Sequence, residues 1–206
     1  STGQFIHSNT NIIFQGFTGS GKTFLACAIG RQACKQQIRT RYIRLPDLLV
    51  EHDEATLIVK SNAKLLKKYS SYGVLIIDEW LFEDISEDEQ HFLFELIERR
   101  HDCTSTIFCT QYRKEDWHSR LGGGVHADAI MDRIVHNAIW IEAGKVNMRE
   151  TAPSTGCNYR WYPSADRGYQ NREWVVRSEA PYWTHSCGII KHRHTEHARL
   201  PLPAQE

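Results

Sequence analysis

No stretch of this 206-residue sequence approaches the roughly 18 consecutive apolar residues that a membrane-spanning helix needs. The N-terminus also lacks the basic-then-apolar pattern of a secretory leader, so the expectation is a soluble cytoplasmic protein with no membrane partner. Neither sign of charge prevails. The 25 Lys plus Arg residues balance 25 Asp plus Glu, which removes any argument for nucleic-acid binding from bulk electrostatics and demands a local basic face instead. None of the six cysteines stands in a C-x-x-C pair. Cys27, Cys34, Cys103 and Cys109 lie in apolar or helical-looking stretches and are expected to be reduced core thiols rather than a disulfide frame. An initiating methionine is also missing: the chain opens at Ser1 and runs within a few residues into a strand-like segment, which reads as a processed or truncated product.

What is present is enough for one ordinary domain, since 41% of the residues are hydrophobic. The charge balance conceals an asymmetry: Lys22 to Lys68 holds ten basic residues against four acidic, and Asp78 to Asp102 holds ten acidic against two basic. A boundary lies near Glu150. Beyond it, Thr151 to Glu206 carries half of the six tryptophans but only six Ile, Leu, Val or Met residues, without helix or strand periodicity. Cys187, His192, His194 and His197 offer zinc-type ligands there, yet a structural site normally needs a second well-spaced pair, which Cys157 does not supply. Residues 1–150 are therefore expected to form one domain and 151–206 an irregular C-terminal extension.

The densest chemistry lies near the start. Asn11 to Gln15 is a strand-like run, followed at once by Gly16-Phe17-Thr18-Gly19-Ser20-Gly21-Lys22-Thr23 and a helix-like run from Phe24 to Cys34. This is a complete G-x-x-x-x-G-K-T between a strand and a helix. Its glycines let backbone N–H groups converge on a β-phosphate, and the helix N-terminus adds partial positive charge. Lys22 is expected to reach the β- and γ-phosphates of ATP, and Thr23 to offer a hydroxyl to Mg²⁺, a hard ion that prefers oxygen ligands.

A second nucleotide motif, Gly73 to Glu79, reads as a buried parallel strand ending in two carboxylates. Asp78 is expected to hold Mg²⁺ through water and Glu79 to act as general base on the attacking water. An adjacent Asp and Glu favour hydrolysis over transfer to a small molecule, whose own hydroxyl would need no such base. Downstream, Thr104 to Thr110 is β-rich. Gln111 at its end is either an amide that orients the lytic water or a plain strand-end residue.

Thr40 to Leu45 reads as a strand and Pro46 starts a helix. Lys60, Lys64, Lys67 and Lys68 follow at helical spacing, as a DNA-contacting face or an ordinary solvated one. Ser86-Glu87-Asp88-Glu89 is a capping box opening a helix over Glu87 to Arg100. A further helix spans about Ala127 to His136, after which Ala138 to Glu142 and Lys145 to Arg149 read as a hairpin around Ala143-Gly144.

With these segments in order, residues 1–150 resemble the AAA+ module of the IstB-like transposition helper ATPases, relatives of the DnaC-type helicase loaders. NIIFQGFTGSGKTFLACAIGRQAC, RYIRLPDLL, VLIIDEW, STIFCTQY, the Trp117-His118 pair and ADAIMDRIVHNA carry the resemblance. It implies an α/β P-loop NTPase, an αβα sandwich with a mainly parallel sheet. It also implies ATP-dependent homo-oligomer assembly on duplex DNA and partnership with a cognate transposase. By motif position Gln111 resembles a sensor-1 residue. Arg133 resembles an arginine finger offered to a neighbouring subunit's nucleotide, and Arg149 a sensor-2 arginine touching bound nucleotide. Phe24 falls beside the phosphate loop. Departing from the family pattern, the chain shows no smaller N-terminal domain, and the tail matches nothing in the family. Two other readings stay open: a helicase loader, and a degraded element product that binds nucleotide passively.

Overall fold

The computed structural model describes residues 3–58, 61–144 and 147–148. Five strands form one parallel sheet in the order β2-β3-β4-β1-β5: β1 (Asn11–Gln15), β2 (Thr40–Arg44), β3 (Val74–Asp78), β4 (Ser105–Thr110) and β5 (Ala138–Glu142). The helices are α1 (Gln4–His7), α2 (Lys22–Lys35), α3 (Leu45–Thr56), α4 (Ser61–Ser70), α5 (Glu87–Arg100), α6 (Lys114–Arg120) and α7 (Gly124–Val135).

The strand residues alternate between two cores, as the two-residue period requires. Ile12, Phe14, Val74, Ile76, Ile107 and Cys109 face Ala26 and Ala33 of α2. Ile13, Leu75, Ile77 and Phe108 face the opposite way, into a larger core built with α3, α4, α5, α6 and α7. The result is the expected αβα sandwich with an all-parallel sheet. Every residue of β3 and β4 is buried, which explains their unbroken apolar runs. Gly30 lets α2 lie close to the sheet, because a Cβ there would sit 2.7 Å from Ile76 Cδ1.

Helix α5 keeps its predicted limits. Glu89 N–H donates to Ser86 Oγ at 3.4 Å and Ser86 N–H to Glu89 Oε2 at 2.6 Å, so two otherwise orphaned donors are satisfied at the helix start. At its other end Arg100 is buried. It donates to the carbonyls of Tyr69 (2.9 Å), Tyr72 (2.8 Å) and Ser105 (2.6 Å) and to Thr106 Oγ1 (2.9 Å). It thereby ties the end of α4 to the start of β4. Burial pushes its guanidinium down to about 9, which leaves it charged at neutral pH.

Three expectations need correction. Cys103 is exposed in the turn after α5, although Cys27, Cys34 and Cys109 are at least partly buried and all four are free thiols. β5 pairs in parallel with β1, from Asn11↔Ala138 to Gln15↔Glu142, and of the expected second hairpin strand only Asn147 and Met148 are described, neither of them in a strand. Met148 N–H donates to Gly19 O at 3.0 Å, which sets it against the phosphate loop. The lysine stripe is broken as well. Lys64 and Lys67 are exposed on α4, but Lys68 donates to Glu51 Oε2 at 3.0 Å and lies 4.8 Å from the Tyr69 ring centre. Lys60 lies outside the described residues, as do Arg149 and the whole segment 151–206 with its Cys and His cluster.

Candidate nucleotide site

The loop from Gly16 to Gly21 leaves the carboxyl end of β1 and enters α2. Gly19 and Gly21 have φ of 84° and 87°, left-handed values that glycine adopts without steric cost. Gly16 answers a different demand: a Cβ there would lie 2.3 Å from the Ala143 carbonyl oxygen and 2.9 Å from Ser20 Oγ. Gly21 is the N-cap of the 14-residue α2 and no side chain caps the helix, so its first N–H groups are left to an incoming anion. Phe17 and Phe24 flank the loop, 64% and 67% exposed.

Lys22 Nζ donates to Gly16 O (2.7 Å) and Phe17 O (2.8 Å), closing the loop on itself. Burial lowers its affinity for a proton, opposed by Cys109 and Asp78. An anion bound in the loop would compete with these two carbonyls for the ammonium.

Helix α2 and strand β3 bring Thr23 and Asp78 together, with Thr23 Oγ1 donating to Asp78 Oδ2 at 2.8 Å. Tyr42 from β2 donates its hydroxyl to the same oxygen at 2.8 Å. Burial, with Asp78 beside it, pushes the Tyr42 phenol well above its ordinary value and keeps it a donor. These oxygen atoms fit a small hard cation, and Thr23 and Asp78 are the residues that would hold Mg²⁺.

Glu79 follows in a left-handed conformation, φ 55°, with its N–H donating to Asp78 Oδ1 at 2.9 Å. Its carboxylate lies 3.7 Å from Arg44 Nη1, and Arg44 also grips Asp47 through Nε (3.0 Å) and Nη2 (2.6 Å). Burial raises the Glu79 pKa, the Arg44 charge lowers it, and Asp78 raises it again. Gln111 extends from β4 onto the loop, where its Oε1 accepts from Thr18 Oγ1 at 3.3 Å. Loop, Asp78, Glu79 and Gln111 thus gather at the carboxyl ends of β1, β3 and β4, where ligands of open α/β sheets collect.

Arg133 stands apart. It lines a cavity with Asn9, Asn11, Thr104 and Thr106, at the amino ends of β1 and β4, so it cannot serve the loop of its own chain. Its Nε pairs with Glu98, Nη1 donates to Ala129 O at 3.1 Å, and the guanidinium lies 5.2 Å from the Phe94 ring centre. The nearby acids are otherwise engaged: Asp128 with His118 and Asp132 with His136, each at 3.2 Å.

The sequence reading missed Tyr42 and Arg44. Both lie on the strand beside β3, with Tyr42↔Ile76 and Arg44↔Asp78 in register, and a polar residue at a strand's carboxyl end was the available signal. It also missed Asn147, whose Oδ1 would be 2.2 Å from a Cβ on Gly19.

Against known proteins, the family model described as IstB-like ATP binding protein matches residues 1–155. The chain belongs to the IstB-like ATP-binding family. This IstB-like chain is 36% identical over 147 residues to the insertion sequence ATP-binding protein y4uH of Sinorhizobium fredii, covering 71% of this chain and 59% of the relative. It is 33% identical over 138 residues to the IS21 ATP-binding protein of Pseudomonas aeruginosa, covering 65% and 50%. The chain therefore spans about half to three-fifths of the length of these relatives. Among solved structures, the DnaC helicase loader has a TM-score of 0.59 at 24% identity, covering 68% of this chain and 85% of that one. AMPPCP-bound DnaA from Aquifex aeolicus has a TM-score of 0.57 at 22% identity, covering 68% and 44%. At these identities the likeness to both is one of fold. Among the described residues no helix is long and apolar enough to cross a membrane.

Proposed function

We propose that residues 1–150 are the ATPase module of a transposition helper of the insertion-sequence type. They would bind Mg²⁺ and ATP, hydrolyse the nucleotide in a homo-oligomer on duplex DNA, and assist a cognate transposase. The observation that carries this reading is the contact between Thr23 and Asp78, which joins the phosphate loop to the strand end bearing Glu79. Bound Mg²⁺ would neutralise charge on the phosphates.

The chain's own residues do the remaining work. Backbone N–H groups of Gly19 to Thr23 hold phosphate oxygens, Lys22 exchanges its loop carbonyls for phosphate, and Phe17 and Phe24 offer ring faces beside the loop. Glu79 takes the proton of the attacking water, and Gln111 orients that water. Arg133 acts on a neighbouring copy's nucleotide, where such arginines raise the rate by about 10³ to 10⁵, so turnover depends on assembly. Arg149 is assigned to the bound nucleotide by motif position. Lys64 and Lys67, exposed on α4, are the basic face for DNA, and binding there would weaken steeply with salt. The insertion-sequence relatives support the transposition reading, whereas the helicase-loader alternative has only a shared fold behind it.

The test is steady-state ATP hydrolysis against protein concentration, with and without duplex DNA, using Lys22→Ala, Glu79→Gln and Arg133→Ala. Stimulation by DNA, a steep concentration dependence and loss in all three variants are expected. Nucleotide binding without turnover would overturn the reading in favour of a passive binding module.

A further inference from the structure

The backbone turns sharply after Asp78. Glu79 and Leu81 both have left-handed conformations, φ 55° and 59°, which strain a side-chain-bearing residue. Such a turn persists only where its surroundings hold it. Two carbonyls that it turns outward meet one guanidinium: Arg120 Nε donates to Leu81 O at 2.6 Å and Nη2 to Phe82 O at 2.8 Å. The same guanidinium lies 3.9 Å from the ring centre of Tyr112, the residue after Gln111. Asp84 is 3.5 Å from Nη2, but its side chain is 91% exposed, so that ion pair adds little.

A second tie runs beside the first. Trp80 N–H donates to Cys109 O at 2.9 Å, and Thr110 Oγ1 donates to Trp80 O at 3.1 Å while accepting from Tyr112 N–H at 3.1 Å. The base of α6 is fixed as well, since Trp117 is fully buried with its ring 5.8 Å from that of Trp80. Arg120, at the last position of α6, therefore projects from a rigid support onto two segments that carry different parts of the site.

We propose that Arg120 is a positioning residue for ATP hydrolysis: by bridging the Leu81 and Phe82 carbonyls to Tyr112, it fixes Glu79 and Gln111 relative to each other above the phosphate loop. This rests on the hydrolytic reading given above. Arginine suits the task because a planar fork can donate to two carbonyls and stack on a ring at once. A lysine ammonium cannot do both. The contacts of Arg120 are to Leu81, Phe82, Asp84 and Tyr112, none of them in the phosphate loop, so its removal is expected to disturb the turnover geometry and leave the phosphate cradle intact.

Arg120→Met keeps the aliphatic stem and removes the donors; Arg120→Lys keeps the charge without the fork. Nucleotide affinity is read with a fluorescent ATP analogue, kcat by phosphate release, and the backbone by amide hydrogen exchange over residues 80–84 and 111–113. The expectation for Arg120→Met is affinity within twofold of the parent, kcat lower by tenfold or more and faster exchange in both segments, with Arg120→Lys recovering only a small part of kcat. A kcat within twofold of the parent overturns the proposal. So does an equal loss of affinity and kcat in both variants, which general unfolding would give. Absence of turnover in the parent chain removes the hydrolytic reading, and the exchange data then decide separately: unchanged exchange in Arg120→Met overturns the clamp, and faster exchange in both segments retains it.

Discussion

Tyr42 donates its hydroxyl to Asp78 Oδ2 at 2.8 Å, the same oxygen that accepts from Thr23. Two neutral side-chain donors from two elements thus hold one carboxylate oxygen, while the Glu79 N–H holds the other. Tyr42→Phe removes one of them while leaving the ring in place. The expected result is a loss of about 1 kcal/mol in unfolding free energy by urea titration. A severalfold rise in the Mg²⁺ concentration that half-saturates hydrolysis should accompany it. An unchanged Mg²⁺ requirement would show that Thr23 and the Glu79 N–H suffice to orient Asp78.

Gly16→Ala tests the packing of the phosphate loop against the segment after β5. The added methyl would meet a backbone carbonyl at 2.3 Å, which cannot swing aside as a side chain can. Nucleotide affinity should fall by tenfold or more in calorimetric titration, with far-ultraviolet circular dichroism unchanged. Retention of affinity would mean that residue 143 yields at little cost.

Arg100→Met addresses stability rather than chemistry. The substitution strands three buried carbonyls, and a loss of about 3 kcal/mol or more is expected in denaturant unfolding. A loss below about 1 kcal/mol would mean that water replaces the guanidinium.

Thiol chemistry separates the cysteines. Burial, with Asp78 nearby, pushes the Cys27 thiol up to about 12, so at pH 8 only about one molecule in 10⁴ carries the reactive thiolate. Burial drives Cys109 higher still, and Cys103 is exposed. Iodoacetamide at pH 8 should modify Cys103 well before Cys27 or Cys109 in peptide mapping. Raising the pH toward 10 should increase the Cys27 rate about tenfold per unit. Early modification of Cys27 at pH 8 would contradict its buried placement.

Local signals made much of this legible. The phosphate loop announced itself because its geometry demands glycines at fixed offsets, and α5 because Ser86 and Glu89 satisfy each other's backbone. β3 and β4 were visible as unbroken apolar runs. What stayed hidden depended on partners distant in sequence. Ala143-Gly144 looks like a hairpin turn only until Met148 is known to bond to Gly19 in the phosphate loop. Lys68 looks like part of a basic face until Glu51, one helix away, takes up its charge. Arg133 has aspartates close by in sequence, but its partner is Glu98 on another helix. Tyr42 and Arg44 gain meaning only once β2 is set beside β3.

All five strands run the same way, so the molecule has a direction. The phosphate loop lies at the end toward which the strands point, and Arg133 at the end from which they start. Donor and acceptor surfaces are thus different surfaces, and if Arg133 serves a neighbour's loop, two copies cannot satisfy each other face to face. Contacts must repeat head to tail, giving a ring if the rotation per step closes and a helical filament if it does not. Either assembly is vectorial: one terminal copy of an open chain would have no arginine supplied to it, and the other would have nowhere to place its own.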